Sequence, residues 1–139
     1  QAVYDAYLKN TQYINNWDLV DCSCYHIVGP YLFDKPKTQL KKLARSKNLW
    51  ERRIAMVSTY HNIKNLDFEP TLTLAKILLV DAQDLIHKAV GWMLREVGKR
   101  NQEVEEGFLR KYHKTMPRTM LRYAIEKFSE GKRKYYISK

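Results

Sequence analysis

The chain has 139 residues, 45% hydrophobic and 29% charged, which suits one globular domain with a buried core and leaves too little for a second. Its 25 lysines and arginines against 15 acidic residues give a formal charge of +10, pointing to a polyanionic partner, nucleic acid ahead of an anionic membrane surface. Residues 1–80 hold 11 basic and 7 acidic side chains and residues 81–139 hold 14 and 8, so the whole domain is basic and no basic tail accounts for the excess. No run of about 18 apolar residues occurs, and QAVYDAYLKN has neither the apolar stretch nor the cleavage site of a signal peptide, so neither a membrane span nor a secretory leader is expected. Beginning on Gln1, the chain is expected to be a trimmed piece of a longer protein.

Only five glycines and four prolines occur, and apolar residues recur at three and four rather than at two. That spacing predicts an all-helical protein. Helices are expected over Val3–Leu8, Trp17–Ile27, Thr38–Arg45, Leu49–Ile63, Pro70–Leu79, Asp84–Lys99, Gln102–Arg110, Pro117–Phe128 and Lys132–Ile137. Asn15 or Asn16 can cap the helix opened by Trp17, Asn48 and Asp81 fall between periodic runs, and Pro70 and Pro117 stand where first-turn prolines belong. Short loops between helices of about three turns make neighbours antiparallel. The tryptophans Trp17, Trp50 and Trp92 are separated by 33 and 42 residues, near the period of paired-helix repeats. The expected architecture is a right-handed α-solenoid of antiparallel helical hairpins, HEAT-like, with a compact helical bundle as the alternative. A solenoid would offer a concave charged face long enough for a duplex.

Four stretches hold the candidate chemistry. In NNWDLVD, Asp18 suits the first turn of a helix, where a carboxylate meets the positive end of the dipole. Asp21 lies a turn further in, on the face of Trp17 and Tyr25, so it is either paired with a cation or available to a cationic ligand. Cys22 and Cys24, two apart, point roughly 200° apart on a helix and cannot pair with each other. They fit packing or a surface thiol, and a reducing cytosol is the default compartment.

In SKNLWERRIAMV, inward-facing Leu49, Ile54 and Val57 leave Arg53 beside Trp50, with Glu51 and Arg52 facing elsewhere. Arg53 could bind a phosphate, pair with Asp21, or be a solvated surface arginine. DLIHKAVGWMLREVGKR has an apolar stripe of Leu85, Ile86, Ala89, Val90, Met93, Leu94 and Val97, flanked by Lys88, Trp92, Arg95 and Lys99. His87 has no second ligand at i+4 and reads as a packed or surface histidine. Gly91 in mid-helix costs about 1 kcal/mol against alanine, so another backbone should approach there. In KYHKTMPRTMLRYAIEKF, Arg118 and Arg122 stack four apart on a helix opened by Pro117, suited to phosphate contact or to solvation. No Walker loop, GxGxxG, HExxH or zinc spacing occurs, which argues against nucleotide hydrolysis and metalloenzyme chemistry; no cofactor and no metal are expected.

NNWDLVD, LWERRIA, DLIHKAVGWMLREVGKR and MPRTMLRYAIEKF, in this order from about residue 10 to residue 137, resemble the DNA alkylation-repair glycosylases built from HEAT-like repeats (AlkC/AlkD type). The resemblance implies that helical pairs preceding the WD motif are missing here. It implies that the family's catalytic aspartate falls on Asp21, its aromatic partner on Trp17, the arginine of its second motif on Arg53, the tryptophan of its GW motif on Trp92 and a backbone-contacting arginine on Arg95. Candidate catalytic residues are therefore Asp21, Trp17, Trp92 and Arg53, and candidate DNA contacts are Arg53, Lys88, Arg95, Arg118 and Arg122. Some relatives have a second tryptophan where this sequence has Asn16.

The activity implied is hydrolysis of the N-glycosidic bond of cationic N3- and N7-alkylated purines in duplex DNA, worked from the backbone side. A cationic base leaves without a general acid, so a fixed carboxylate that steadies the developing sugar cation and orients water is the chemistry required. The expected partner is duplex DNA containing alkylated purines, with no membrane, and the expected state is a cytoplasmic monomer, nucleoid-associated when on DNA. The competing readings are a catalytically silent helical-repeat DNA-binding module, which would not need Asp21, and a protein-binding scaffold.

Overall fold

The computed structural model describes residues 2–9, 27–33 and 35–138. The predicted Trp17–Ile27 helix, and with it Asn15, Asn16, Trp17, Asp18, Asp21, Cys22, Cys24 and Tyr25, lies outside the described residues except for Ile27. Among the described residues the chain is all-helical: α1 (Ala2–Lys9), α2 (27–32), α3 (Thr38–Ala44), α4 (Leu49–Ser58), α5 (Tyr60–Lys64), α6 (Glu69–Leu78), α7 (Asp84–Arg100), α8 (Gln102–Tyr112), α9 (Arg118–Ala124) and α10 (Glu130–Ser138). No helix among them is long and apolar enough to cross a membrane.

The 17-residue α7 is the hub. Asp84 in its first turn and Lys99 and Arg100 in its last complement the helix dipole. Of its predicted apolar stripe, Ile86, Ala89, Val90, Met93, Leu94 and Val97 are fully buried, and Leu85 is half-buried. Burying each of the larger ones contributes about 1.5–3 kcal/mol relative to exposure. Asn101 ends α7 and caps α8: its backbone is extended, and its Oδ1 accepts the Val104 N–H at 3.4 Å, so the chain reverses within one residue.

α7 packs against α4 on one side and α9 on the other, so α4, α7 and α9 form one layer. Behind them α3 packs on both α4 and α6, α6 on α7, and α8 on α7. Residues of α6 and α8 line a common recess of about 480 Å³, so α3, α6 and α8 make the second layer. Gly91 explains the closeness of α7 and α9: a β-carbon there would overlap Tyr123 Cβ and sit 2.6 Å from the Met120 carbonyl oxygen.

Two predicted helices end sooner than expected. The Leu49–Ile63 helix breaks at Thr59, where the Ser58 hydroxyl donates to the Ile54 carbonyl at 2.6 Å and the Thr59 hydroxyl to the Met56 carbonyl at 2.7 Å. Such back-bonding loosens the helical ladder and bends the chain. The Pro117–Phe128 helix gives way at Ile125 to a turn. Asn48, expected only to fall between periodic runs, caps α4, its Oδ1 accepting the Trp50 N–H at 2.8 Å.

Candidate nucleic-acid interface

The α4/α7/α9 layer holds all the sequence-predicted site residues that are described, including Arg118, which begins α9 and is exposed. Arg53, on α4, is only 6% exposed, and its Nη1 donates to the Leu85 carbonyl oxygen at the start of α7. So deep a guanidinium offers little surface to a phosphate. Burial excludes the expected solvated surface arginine, and the expected partner Asp21 lies outside the described residues. Its neighbour Arg52 pins loops instead: Nε meets Asp81 at 2.6 Å and Nη1 donates to the Ser46 and Lys47 carbonyls at 3.1 and 3.2 Å. Asp81 is also tied to the Gln83 N–H at 2.9 Å, and its carbonyl meets the His87 ring at 2.5 Å. His87 is thus a packed histidine, and among the described residues no cluster suited to a metal occurs.

On α7, Lys88 is half-buried and pairs with Asp84 at 3.2 Å. Trp92 is half-buried, with its ring tilted against Tyr60 at 6.2 Å between centroids. Tyr60 also receives Lys64 Nζ at 5.4 Å and the Arg100 guanidinium at 5.8 Å from its ring centre. Trp92 therefore stands in a group of electron-rich faces and cations. Tyr60 was not anticipated, because a continuous Leu49–Ile63 helix hides the bend that presents it.

Arg95 and Arg122, from α7 and α9, meet at an open recess of about 520 Å³ completed by Tyr123 and Glu126. Arg95 pairs with Glu126, which lies in the turn after α9. Arg122 is exposed and makes no ion pair among the described residues. A second recess of about 370 Å³, sharing Arg122 and Glu126 and adding Arg133, Lys134, Ile125 and Ile137, continues this trough toward α10. Tyr123 and Glu126 were also missed, although Glu126 stands four residues after Arg122 in a stretch already singled out. Four arginines and lysines along one trough, with apolar floor beneath, suit a phosphate backbone.

Two glutamates behind this layer are in opposite states. Glu105 is 1% exposed, and burial pushes its carboxyl up to about 9, helped by the charge of Glu106 and opposed by that of Arg95. Glu106 would also be raised by burial, but hydrogen bonds from Lys132 at 2.6 Å, Tyr136 at 2.8 Å and Gln102 at 3.1 Å outweigh this and hold its carboxyl below the usual range. Glu105 is therefore neutral at pH 7 and does not cancel the charge of Arg95.

Among the described residues the chain is thus a layered all-helical domain with a basic trough. A family model described as DNA alkylation repair enzyme matches residues 1–128, and the chain belongs to that family. Comparison with curated proteins and with solved structures finds no match. Family membership makes the chain an enzyme of the repair of alkylated DNA.

Proposed function

We propose that the chain is a DNA glycosylase that hydrolyses the N-glycosidic bond of cationic N3- and N7-alkylated purines in duplex DNA. The observation that carries this reading is the trough in which Arg95 and Arg122 converge, on the same layer as Trp92, in a chain of the alkylation-repair family. Arg122, Arg95 and exposed Arg118 take backbone phosphates, and Lys88 contributes at the rim. The alkylated purine already has a positive charge and leaves unaided by an acid, so the barrier lies in the positive charge that grows on the deoxyribose. Asp21 stabilises that charge and positions the attacking water. Trp17 and Trp92 turn electron-rich faces to the cationic groups. Arg53, buried behind this surface, favours the ionised form of Asp21.

The reading is tested by incubating the full-length protein with a duplex containing 7-methylguanine or 3-methyladenine and measuring free base and abasic sites. Release from the alkylated duplex and none from an undamaged duplex is the expected result. Tight duplex binding with no base release would leave a silent DNA-binding module instead.

A further inference from the structure

Of the two arginines in the recess, Arg122 makes no ion pair among the described residues while Arg95 is already engaged by Glu126. We propose that Glu126 is an internal stand-in for a DNA phosphate: it occupies Arg95 while no duplex is bound, and an incoming phosphodiester takes its place. The proposal rests on the reading of this trough as the DNA site, and it adds a residue that sets how strongly that site binds.

Several features make Glu126 an exchangeable partner. Its side chain is 56% exposed, so the pair is made at the mouth of the recess, where an anion from solvent can reach it. Its backbone carbonyl lies 3.5 Å from Arg133 Nη1, which also donates to the Phe128 carbonyl at 3.2 Å. Releasing Arg95 thus needs a side-chain rotation and no movement of the turn. A singly charged phosphodiester satisfies a guanidinium in the same way as a carboxylate, so the exchange replaces one anion by another.

Arg95 itself is enclosed by its surroundings as well as paired: its side chain is only 18% exposed, although its buried Nε has no hydrogen-bond partner among the described residues. A second carboxyl that acts on it, Glu105, is buried, and its Oε2 also has no hydrogen-bond partner among the described residues. The guanidinium therefore stays at the recess when Glu126 swings away, with its charge undiminished from behind. The consequence is a uniform one: every duplex, damaged or not, must displace Glu126, so dwell time on undamaged DNA is shortened.

The experiment is a double-mutant cycle on the full-length protein, with Glu126→Gln, Arg95→Gln and both together, reading affinity for a fluorescently labelled undamaged duplex over a range of salt. Glu126→Gln should bind about threefold to fivefold more tightly, the scale of losing one competing surface ion pair. In the Arg95→Gln background the same change should give a clearly smaller gain, because no pair remains to be broken. Glu126→Asp, which keeps the charge but shortens its reach, should also bind more tightly than wild type. Equal gains in both backgrounds, or no gain from Glu126→Gln, would overturn the proposal. Weakening by Arg95→Gln without a gain from Glu126→Gln sinks the stand-in and spares the DNA site. Unchanged binding in Arg95→Gln sinks both. Matching thermal unfolding midpoints show that each variant folds.

Discussion

The Glu105 carboxyl lies across the bare Cα of Gly98, so closely that a β-carbon on Gly98 would overlap its Oε1. The space for a buried acid on α8 is thus made by a glycine on α7, and the carboxyl fills it without a partner for Oε2 among the described residues. An acid so placed is stable only when neutral.

Stability should therefore fall as pH rises. Folded Glu105 keeps its proton up to about 9, whereas the unfolded chain releases it near 4.5. Between those values the folded state binds the extra proton, so this stabilisation is full below the lower value and is lost toward the upper one. The slope is at most about 1.4 kcal/mol per pH unit. Glu105→Gln mimics the neutral acid and should remove it. Urea unfolding of both proteins across this range checks the point: the stability difference must widen in favour of the variant with rising pH, and a constant difference contradicts the assignment.

Gly91→Ala should destabilise the protein despite improving helix propensity. Alanine contributes about 1 kcal/mol to the helix, but the Met120 carbonyl 2.6 Å from its β-carbon belongs to backbone and cannot rotate away. Overpacking of this kind costs about 1–3 kcal/mol, so a net loss of about 1 kcal/mol is expected. Arg122 and Tyr123 ride on α9, so duplex affinity should drop with stability. Thermal unfolding and a binding titration measure both, and a stabilised variant would mean that α9 is not docked on Gly91.

Arg122→Gln should weaken duplex binding and flatten its salt dependence. Loss of one phosphate contact lowers the slope of log affinity against log salt by about 0.9. A variant with an unchanged slope would place Arg122 off the phosphate backbone.

Asp81→Ala is expected to do the reverse, lowering stability by about 2 kcal/mol or more while leaving the salt slope intact. It strands Arg52, whose side chain is 15% exposed and whose Nε rests 2.6 Å from the Asp81 carboxylate. Chemical denaturation beside the same salt titration separates the two effects. A changed slope with unchanged stability would put Arg52 in the interface.

Much of this was legible in the order of residues. The stripe from Ile86 to Val97 and the demand of Gly91 for a close neighbour follow from helical period and propensity, which are local. The break at Thr59 depends on which way two hydroxyls rotate, so a run reading as one helix became two and Tyr60 was overlooked. Arg52 and Arg53 are adjacent, yet one pins Asp81 and the other Leu85, 29 and 32 residues on, and no spacing rule reaches that far. Glu105 and Glu106 likewise differ because Lys132 and Tyr136 reach only the second. The Trp17 and Asp21 pair of the candidate site lies outside the described residues, so its role stands on the sequence and on the family.

The central claim is that Asp21 supplies the negative charge that steadies the sugar cation, and Asp21→Asn tests it most directly. Single-turnover release of 7-methylguanine from a duplex should slow by roughly 100-fold or more, with duplex affinity little changed, as for loss of one preorganised electrostatic group. Wild-type release rates in the variant would contradict the account.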